Sequence, residues 1–236
     1  MILFRNVRIM ELDPPSVSEP MDVAVFEPEE NAHGGTIAEI GGSLQTKYPK
    51  AKIAGEGGFL SPGLVCGHTH LYSALSRGML VDIAPSKDFA QLLKNLWWRL
   101  DRAIDPEILR ASALAGCSDA LKAGVTSLVD HHAGPECIAD SLSIIRKAYE
   151  DTGLRGILCY ETTDRNGTDE ARAGIAENVR FAKEVDNIRA SGQKPLVDAA
   201  IGAHASFTLS NETLEALAEA VQETGRGIHI LSLIHI

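Results

Sequence analysis

The chain has 236 residues, of which 44% are hydrophobic and 23% charged, and a formal net charge of -10. That length can bury a substantial core, in one large domain or two small ones. The acidic residues are spread along the sequence, which argues against nucleic acid and anionic membrane as partners.

The four cysteines, Cys66, Cys117, Cys137 and Cys159, show no C-x-x-C spacing and read as reduced, buried thiols. The opening MILFRNVRIMELD has no basic segment followed by a long apolar one. No apolar run approaches the ~20 residues of a membrane span. The expectation is a cytoplasmic protein.

Taken in order, residues 1–60 read as short strands over Ile2–Met10, Asp22–Phe26 and Thr36–Ile40, separated by loops at Pro14-Pro15-Ser16 and Pro28–Gly35. Pro62-Gly63 then leads into a strand over Leu64–Cys66 that looks buried. A loop follows, and a helical stretch over Ser86–Ala103 carries Trp97 and Trp98, of which one is expected to pack and the other to half-pack. Asp105-Pro106-Glu107 is an N-cap, a proline at the first helical position and an acid in the first turn, predicting a helix to Lys122 closed by Gly124. Val125–Val129 is the next strand, ending in Asp130-His131-His132. Helices over Ile138–Asp151, ended by Gly153, over Asp169–Ala190, and from the cap Ser210 to Thr224, ended by Gly225, alternate with strands over Leu154–Tyr160, Leu196–Ile201 and Gly227–Ile230.

This alternation predicts βαβ units and a parallel sheet. An open doubly wound sheet would fit it equally well. However, histidines recur where strands end, at His68 and His70, His131 and His132, His204 and His229. A barrel gathers its strand ends around one site, and so accounts for that recurrence better. Of His131 and His132, one is expected to face the site and the other to pack outside, because neighbours on a strand alternate.

The most informative stretch is Ser61–Met79, SPGLVCGHTHLYSALSRGM. In a strand, His68 and His70 point to the same face, as two ligands of one metal must. Neutral imidazole suits zinc and other borderline divalent metals. Isolated, an H-x-H pair is more often a surface feature.

PGLVCGHTHLYSALSRGM resembles the first barrel strand of the amidohydrolase superfamily, in particular its deaminase and chlorohydrolase branch. The resemblance runs from the N-terminus to about Ile230. It implies a (β/α)8 barrel, of which residues 61–230 would supply about the first five strands, preceded at 1–60 by part of a small β-sandwich. A full member is much longer, so the chain is expected to be a C-terminally truncated fragment.

The resemblance also implies a mechanism. One divalent metal, zinc or else iron, is held by two first-strand histidines, a fifth-strand histidine and an eighth-strand aspartate. It activates a water, and a glutamate three residues after the fifth-strand histidine shuttles protons. The reaction expected is hydrolytic deamination of a small heterocyclic amine. Carried over, His68 and His70 are metal ligands. His204, in GAHASFTLS, contacts the substrate or the bound water, or else is a core histidine bonded to a backbone carbonyl. Tyr72 and Arg77 are placed to face substrate; a surface ion pair is the other reading of Arg77. Cys66, where two-metal relatives usually carry Asp, favours the mononuclear branch. A homo-oligomeric parent is left open.

The match then stops. The fifth strand should read roughly GIHIHVAE, but the chain reads GIHI and then LSLIHI. Leu231 stands at the third ligand position and Ile234 at that of the catalytic glutamate, so no catalytic residue is expected to be retained. Residues 231–236 are expected to be a non-native tail, since LSLIHI can be written as a translated sequencing adapter. An uncovered sheet edge, a tendency to aggregate, weak metal binding and no activity in the isolated chain follow. The alternatives are an amidohydrolase or chlorohydrolase on the same scaffold, or a non-catalytic binding protein if the short chain is native.

Overall fold

A computed structural model describes residues 1–27 and 35–232, and the chain divides into two compact units, Met1–Leu64 and Val65–Ile236. The predicted loop at Pro28–Gly35 lies outside the described residues except for Gly35. No helix among the described residues is long and apolar enough to cross a membrane.

The first unit is one six-stranded sheet in the order β2-β1-β3-β4, with β5 and β6 also pairing β1. Its strands are β1 (Ile2–Leu12), β2 (Pro15–Val17), β3 (Met21–Phe26), β4 (Thr36–Gly41), β5 (Lys52–Glu56) and β6 (Phe59–Leu60), with a one-turn helix α1 (Leu44–Lys47). Leu3, Ala24 and Leu44 form its core. Asp22 ties two left-handed turns to the sheet, its carboxylate accepting from the backbone N–H of Asn6 and of Leu44 at 2.9 Å each. Three segments differ from expectation. Pro15–Val17 is an edge strand, not a loop, which proline allows at a strand's first residue. The short β5 and β6 carry too little alternation to be read from the sequence.

The second unit alternates strand and helix. Strands β7 (Leu64–Thr69), β8 (Val125–His132), β9 (Arg155–Tyr160) and β10 (Val197–Ala199) form a sheet in the order β10-β9-β8-β7, with β8-β9 and β9-β10 parallel. A parallel pair, β11 (Ile201–Ala205) and β12 (Ile228–Leu231), continues from it through a bridge between Thr162 and Ala203. The helices are α2 (Phe89–Leu92) and α3 (Trp98–Asp101), joined by a π turn over Leu93–Trp97, then α4 (Pro106–Lys122), α5 (Ser141–Thr152), α6 (Thr168–Ala190) and α7 (Asn211–Thr224). Leu109, Leu142, Ile145, Tyr149, Leu158 and Phe181 are wholly buried in the core between helices and sheet.

Local chemistry explains the boundaries. Asp105 and Ser210 cap α4 and α7, accepting from the N–H of Ile108 and of Thr213. Gly153 and Gly225 end α5 and α7 in the left-handed region. Asp140, at the start of α5, makes no side-chain cap. Instead, the buried Glu177 of α6 accepts from the N–H of Asp140 (3.1 Å) and of Leu142 (3.0 Å). Where a loop was expected after His70, Leu71–Ser76 forms a 3-10 helix, held by Ser112 of α4, whose hydroxyl donates to the Leu71 carbonyl at 2.7 Å.

Two strand expectations are corrected. The single strand expected over Leu196–Ile201 is broken at Ala200, and His204 lies within β11. There the backbones crowd: a Cβ on Gly202 would lie 2.2 Å from the Tyr160 carbonyl oxygen, so only glycine permits the approach. The strand leading to His68 is not buried, Leu64 and Val65 being 59% and 70% exposed. The reason is that β7 ends its sheet and, among the described residues, pairs only with β8.

Candidate functional site

The ends of β7, β8, β9, β11 and β12 bring His68, His70, His131, Glu161, His204 and His229 close together. The anchor is Asp130, fully buried in β8, whose Oδ1 accepts the Leu71 N–H at 2.7 Å and so fixes the residue after His70. Burial pushes the Asp130 carboxyl up to about 7.

His68 and His70 meet at their Nε2 atoms, 3.1 Å apart. His70 Nδ1 lies 2.7 Å from the His131 carbonyl oxygen, which can only accept, so Nδ1 carries the proton and Nε2 a lone pair. His68 Nδ1 is 2.8 Å from His229 Nε2, and the two rings stack at 5.1 Å. Ring nitrogens of His68, His70 and His131 all lie within 4.8 Å of one another. His131 is wholly buried, with no hydrogen-bond partner for either ring nitrogen among the described residues. Burial holds His70 down at about 4 and His131 at about 3, so both are neutral near pH 7, as metal ligation requires. His132 packs between the rings of Tyr72 and Tyr160 instead.

This donor set fits a divalent metal. With metal–nitrogen bonds of about 2.0–2.1 Å at a tetrahedral angle, two ligand nitrogens stand roughly 3.3 Å apart. The lone pair on His70 Nε2 stands near that separation from His68 Nε2, and either a proton on His68 or a cation meets it there.

Beside the histidines lies a cavity of about 250 Å³, lined by His70, Tyr72, Trp97, Trp98, Asp101, Glu161, Arg165, His204 and Leu231 among others. His204 Nδ1 is 2.6 Å from Thr208 Oγ1, and that hydroxyl donates to the Ala205 carbonyl at 2.8 Å. The hydroxyl therefore accepts from His204, leaving His204 Nε2 as an acceptor, 3.6 Å from Glu161 Oε1. Arg165 binds both acids, Asp101 at 2.5 Å and Glu161 at 3.3 Å, and its guanidinium lies over the Trp98 ring at 5.3 Å. Burial raises the Asp101 carboxyl to about 6 against the pull of Arg165.

Of the residues expected from the sequence, His68 and His70 converge, and His204 and Tyr72 line the cavity. Arg77 does not line it. Its exposed guanidinium pairs with Asp119, and it borders a separate open cleft of about 810 Å³ that also touches His68 and His70. Leu231 also lines the 250 Å³ cavity, while His229 of the same strand reaches His68. Ile234 lies outside the described residues. Sequence reasoning missed Asp101, Glu161 and Arg165. Glu161 directly follows the apolar run that ends at Tyr160, the same strand-end position at which the histidines recur, and that position is the sequence signal that marks it.

A family model described as the amidohydrolase family matches residues 59–231. A 5-methylthioadenosine/S-adenosylhomocysteine deaminase of Thermococcus sibiricus is 30% identical over 194 residues, covering 82% of this chain and 42% of that protein. Among solved structures, a zinc-bound adenosine deaminase from Xanthomonas campestris superposes with a TM-score of 0.68 at 21% identity, covering 97% of this chain and 48% of its own. A variant of atrazine chlorohydrolase from Arthrobacter aurescens, complexed with zinc and atraton, gives 0.67 at 19% identity, covering 98% and 52%. The chain thus spans about half the length of the proteins it matches.

Proposed function

The chain belongs to the amidohydrolase family, and from that premise we propose that it carries the first part of a metal-dependent aminohydrolase site that deaminates a small heterocyclic amine. In this reading, residues 61–230 are the first five strands of a (β/α)8 barrel and residues 1–60 part of a small β-sandwich. The observation that carries it is the pair of Nε2 atoms on His68 and His70, 3.1 Å apart, one of them a fixed lone pair. A divalent metal there, zinc in the first instance, would supply a water acidic enough to act as a nucleophile near neutral pH.

The protein's own residues supply the rest. The His131 carbonyl and His229 hold the rings of His70 and His68 in register, as outer partners of metal ligands do. His204, set by Thr208, presents Nε2 to a substrate in the cavity, and Tyr72 and Trp97 wall it. The proton-shuttling acid of the family has no counterpart at Ile234. The 236-residue chain is therefore expected to bind metal without turning over substrate.

Zinc titration against a chromophoric chelator tests this. Binding should be present in the native chain and lost in H68A and in H70A. Binding that persists unchanged in H70A would overturn the reading. Ammonia release from amino-substituted rings should be absent from the isolated chain.

A further inference from the structure

The ligand set that the family resemblance implies takes its third nitrogen from the fifth strand, where this chain carries Leu231. An alkyl side chain cannot ligate a metal. Zinc sites have three or four protein ligands, so His68 and His70 alone would hold the ion weakly. A third donor has to come from a neighbouring element.

Two histidines stand beside the pair, His131 of β8 and His229 of β12, and they are not equivalent. His229 already gives its Nε2 to Nδ1 of His68, 2.8 Å away. The ring nitrogens that gather within 4.8 Å of one another are those of His68, His70 and His131. His131 is 0% exposed, and neither of its ring nitrogens has a hydrogen-bond partner among the described residues. A buried imidazole left so is costly, and a cation that takes its lone pair removes that cost.

The three rings share one arrangement. His70 turns Nδ1 to the His131 carbonyl oxygen at 2.7 Å, and His68 turns Nδ1 to His229 at 2.8 Å. His131 Nδ1 lies 3.4 Å from Glu161 Oε2, close but not aligned as a hydrogen bond. Metal-bound histidines present their second nitrogen to an acceptor in this way, often to a carboxylate. A proton on Nδ1 of each ring leaves Nε2 with a free lone pair. The widest spacing of at most 4.8 Å exceeds the roughly 3.3 Å of a tetrahedral site by about 1.5 Å, a shift that rotation of one ring supplies.

We propose that His131 is the third protein ligand of the metal, so that β7 and β8 alone hold it with three imidazoles. The proposal rests on the metal-dependent reading of His68 and His70, and it departs from the ligand set that the resemblance implies. It gives the adjacent histidines of β8 separate tasks: His131 joins the pair, while His132 packs between Tyr72 and Tyr160. Three neutral imidazoles leave a fourth coordination position that no side chain has to fill, as in zinc sites open to a small ligand.

The test counts imidazoles. X-ray absorption at the zinc edge of the zinc-loaded native chain should show three, H131Q two and H229Q three. In chelator competition, H131Q should weaken zinc binding by more than about a hundredfold, beyond the roughly 10–100-fold typical of removing an outer partner. The count on the native chain needs no substitution, so a folding defect in H131Q does not remove the test. Two imidazoles in the native chain would overturn the proposal, and so would three in H131Q. A count that falls in H229Q but not in H131Q would overturn it in favour of His229. In each of these cases the metal reading stands as long as H68A and H70A lose zinc. Zinc that persists unchanged in H70A would remove that reading and the proposal with it.

Discussion

Nε2 of His229 stands 2.8 Å from Nδ1 of His68, although 161 positions separate the two residues in sequence. If His68 ligates through Nε2, His229 accepts the proton on its other nitrogen and fixes its tautomer. Removing such an outer partner typically costs 10–100-fold in metal affinity. H229A should therefore weaken zinc binding by about tenfold or more without abolishing it, as judged by chelator competition. Complete loss of binding would instead identify His229 as a ligand.

Asp101 gives the stability of the fold a pH dependence whose sign is fixed. Burial raises its pKa from 3.8 to about 6. The folded chain holds that proton more tightly than the unfolded chain. The contribution of this group to stability is therefore greatest below about pH 4 and declines as pH rises to about 6, by about 3 kcal/mol in all. Urea unfolding of the native chain and D101N at pH 4 and pH 7 should show the native chain losing that much relative to the variant. A difference independent of pH would refute this assignment.

Glu177 replaces the missing cap of α5 from a neighbouring helix. Its two carboxylate oxygens accept from the N–H of Leu142 and of Asp140, and it also binds Arg180. E177A leaves those backbone donors without partners, the one at Leu142 in a buried setting, and should cost about 2–3 kcal/mol. E177Q keeps one acceptor oxygen and should recover part of that loss. Chemical denaturation of the two variants checks the order.

The edge strand β7 presents an exposed Val65, and the parallel pair β11-β12 presents exposed Ile228 and Ile230. Unpaired, apolar edges template association between chains. The 236-residue chain should show concentration-dependent association by light scattering, and V65K should reduce it. Monodisperse behaviour of the unaltered chain at high concentration would contradict this.

Close approach at Gly202 makes the joint between β9 and β11 intolerant of side chains. A Cβ there meets the Tyr160 carbonyl oxygen at 2.2 Å, a backbone atom that cannot swing aside. G202A should destabilise the fold by about 1–3 kcal/mol and displace His204, which lies two residues on. Reduced cavity binding together with a lowered melting temperature is the expected result.

The sequence by itself determined what depends on short-range chemistry. Asp105-Pro106 and Ser210 fixed two helix starts, Gly153 and Gly225 two helix ends, and the spacing of His68 and His70 one shared face, because caps, left-handed turns and strand alternation act over a few residues. Tertiary structure decided the rest. Asp101, Glu161 and Arg165 lie on a helix, a strand end and the loop after it, and no local signal marks them as one charge network. The exposure of Val65 follows from which strands stand beside β7, and the break at Ala200 from how near β11 runs to Tyr160. The meeting of His229 with His68, across 161 positions, is a long-range contact that no pattern within either strand marks.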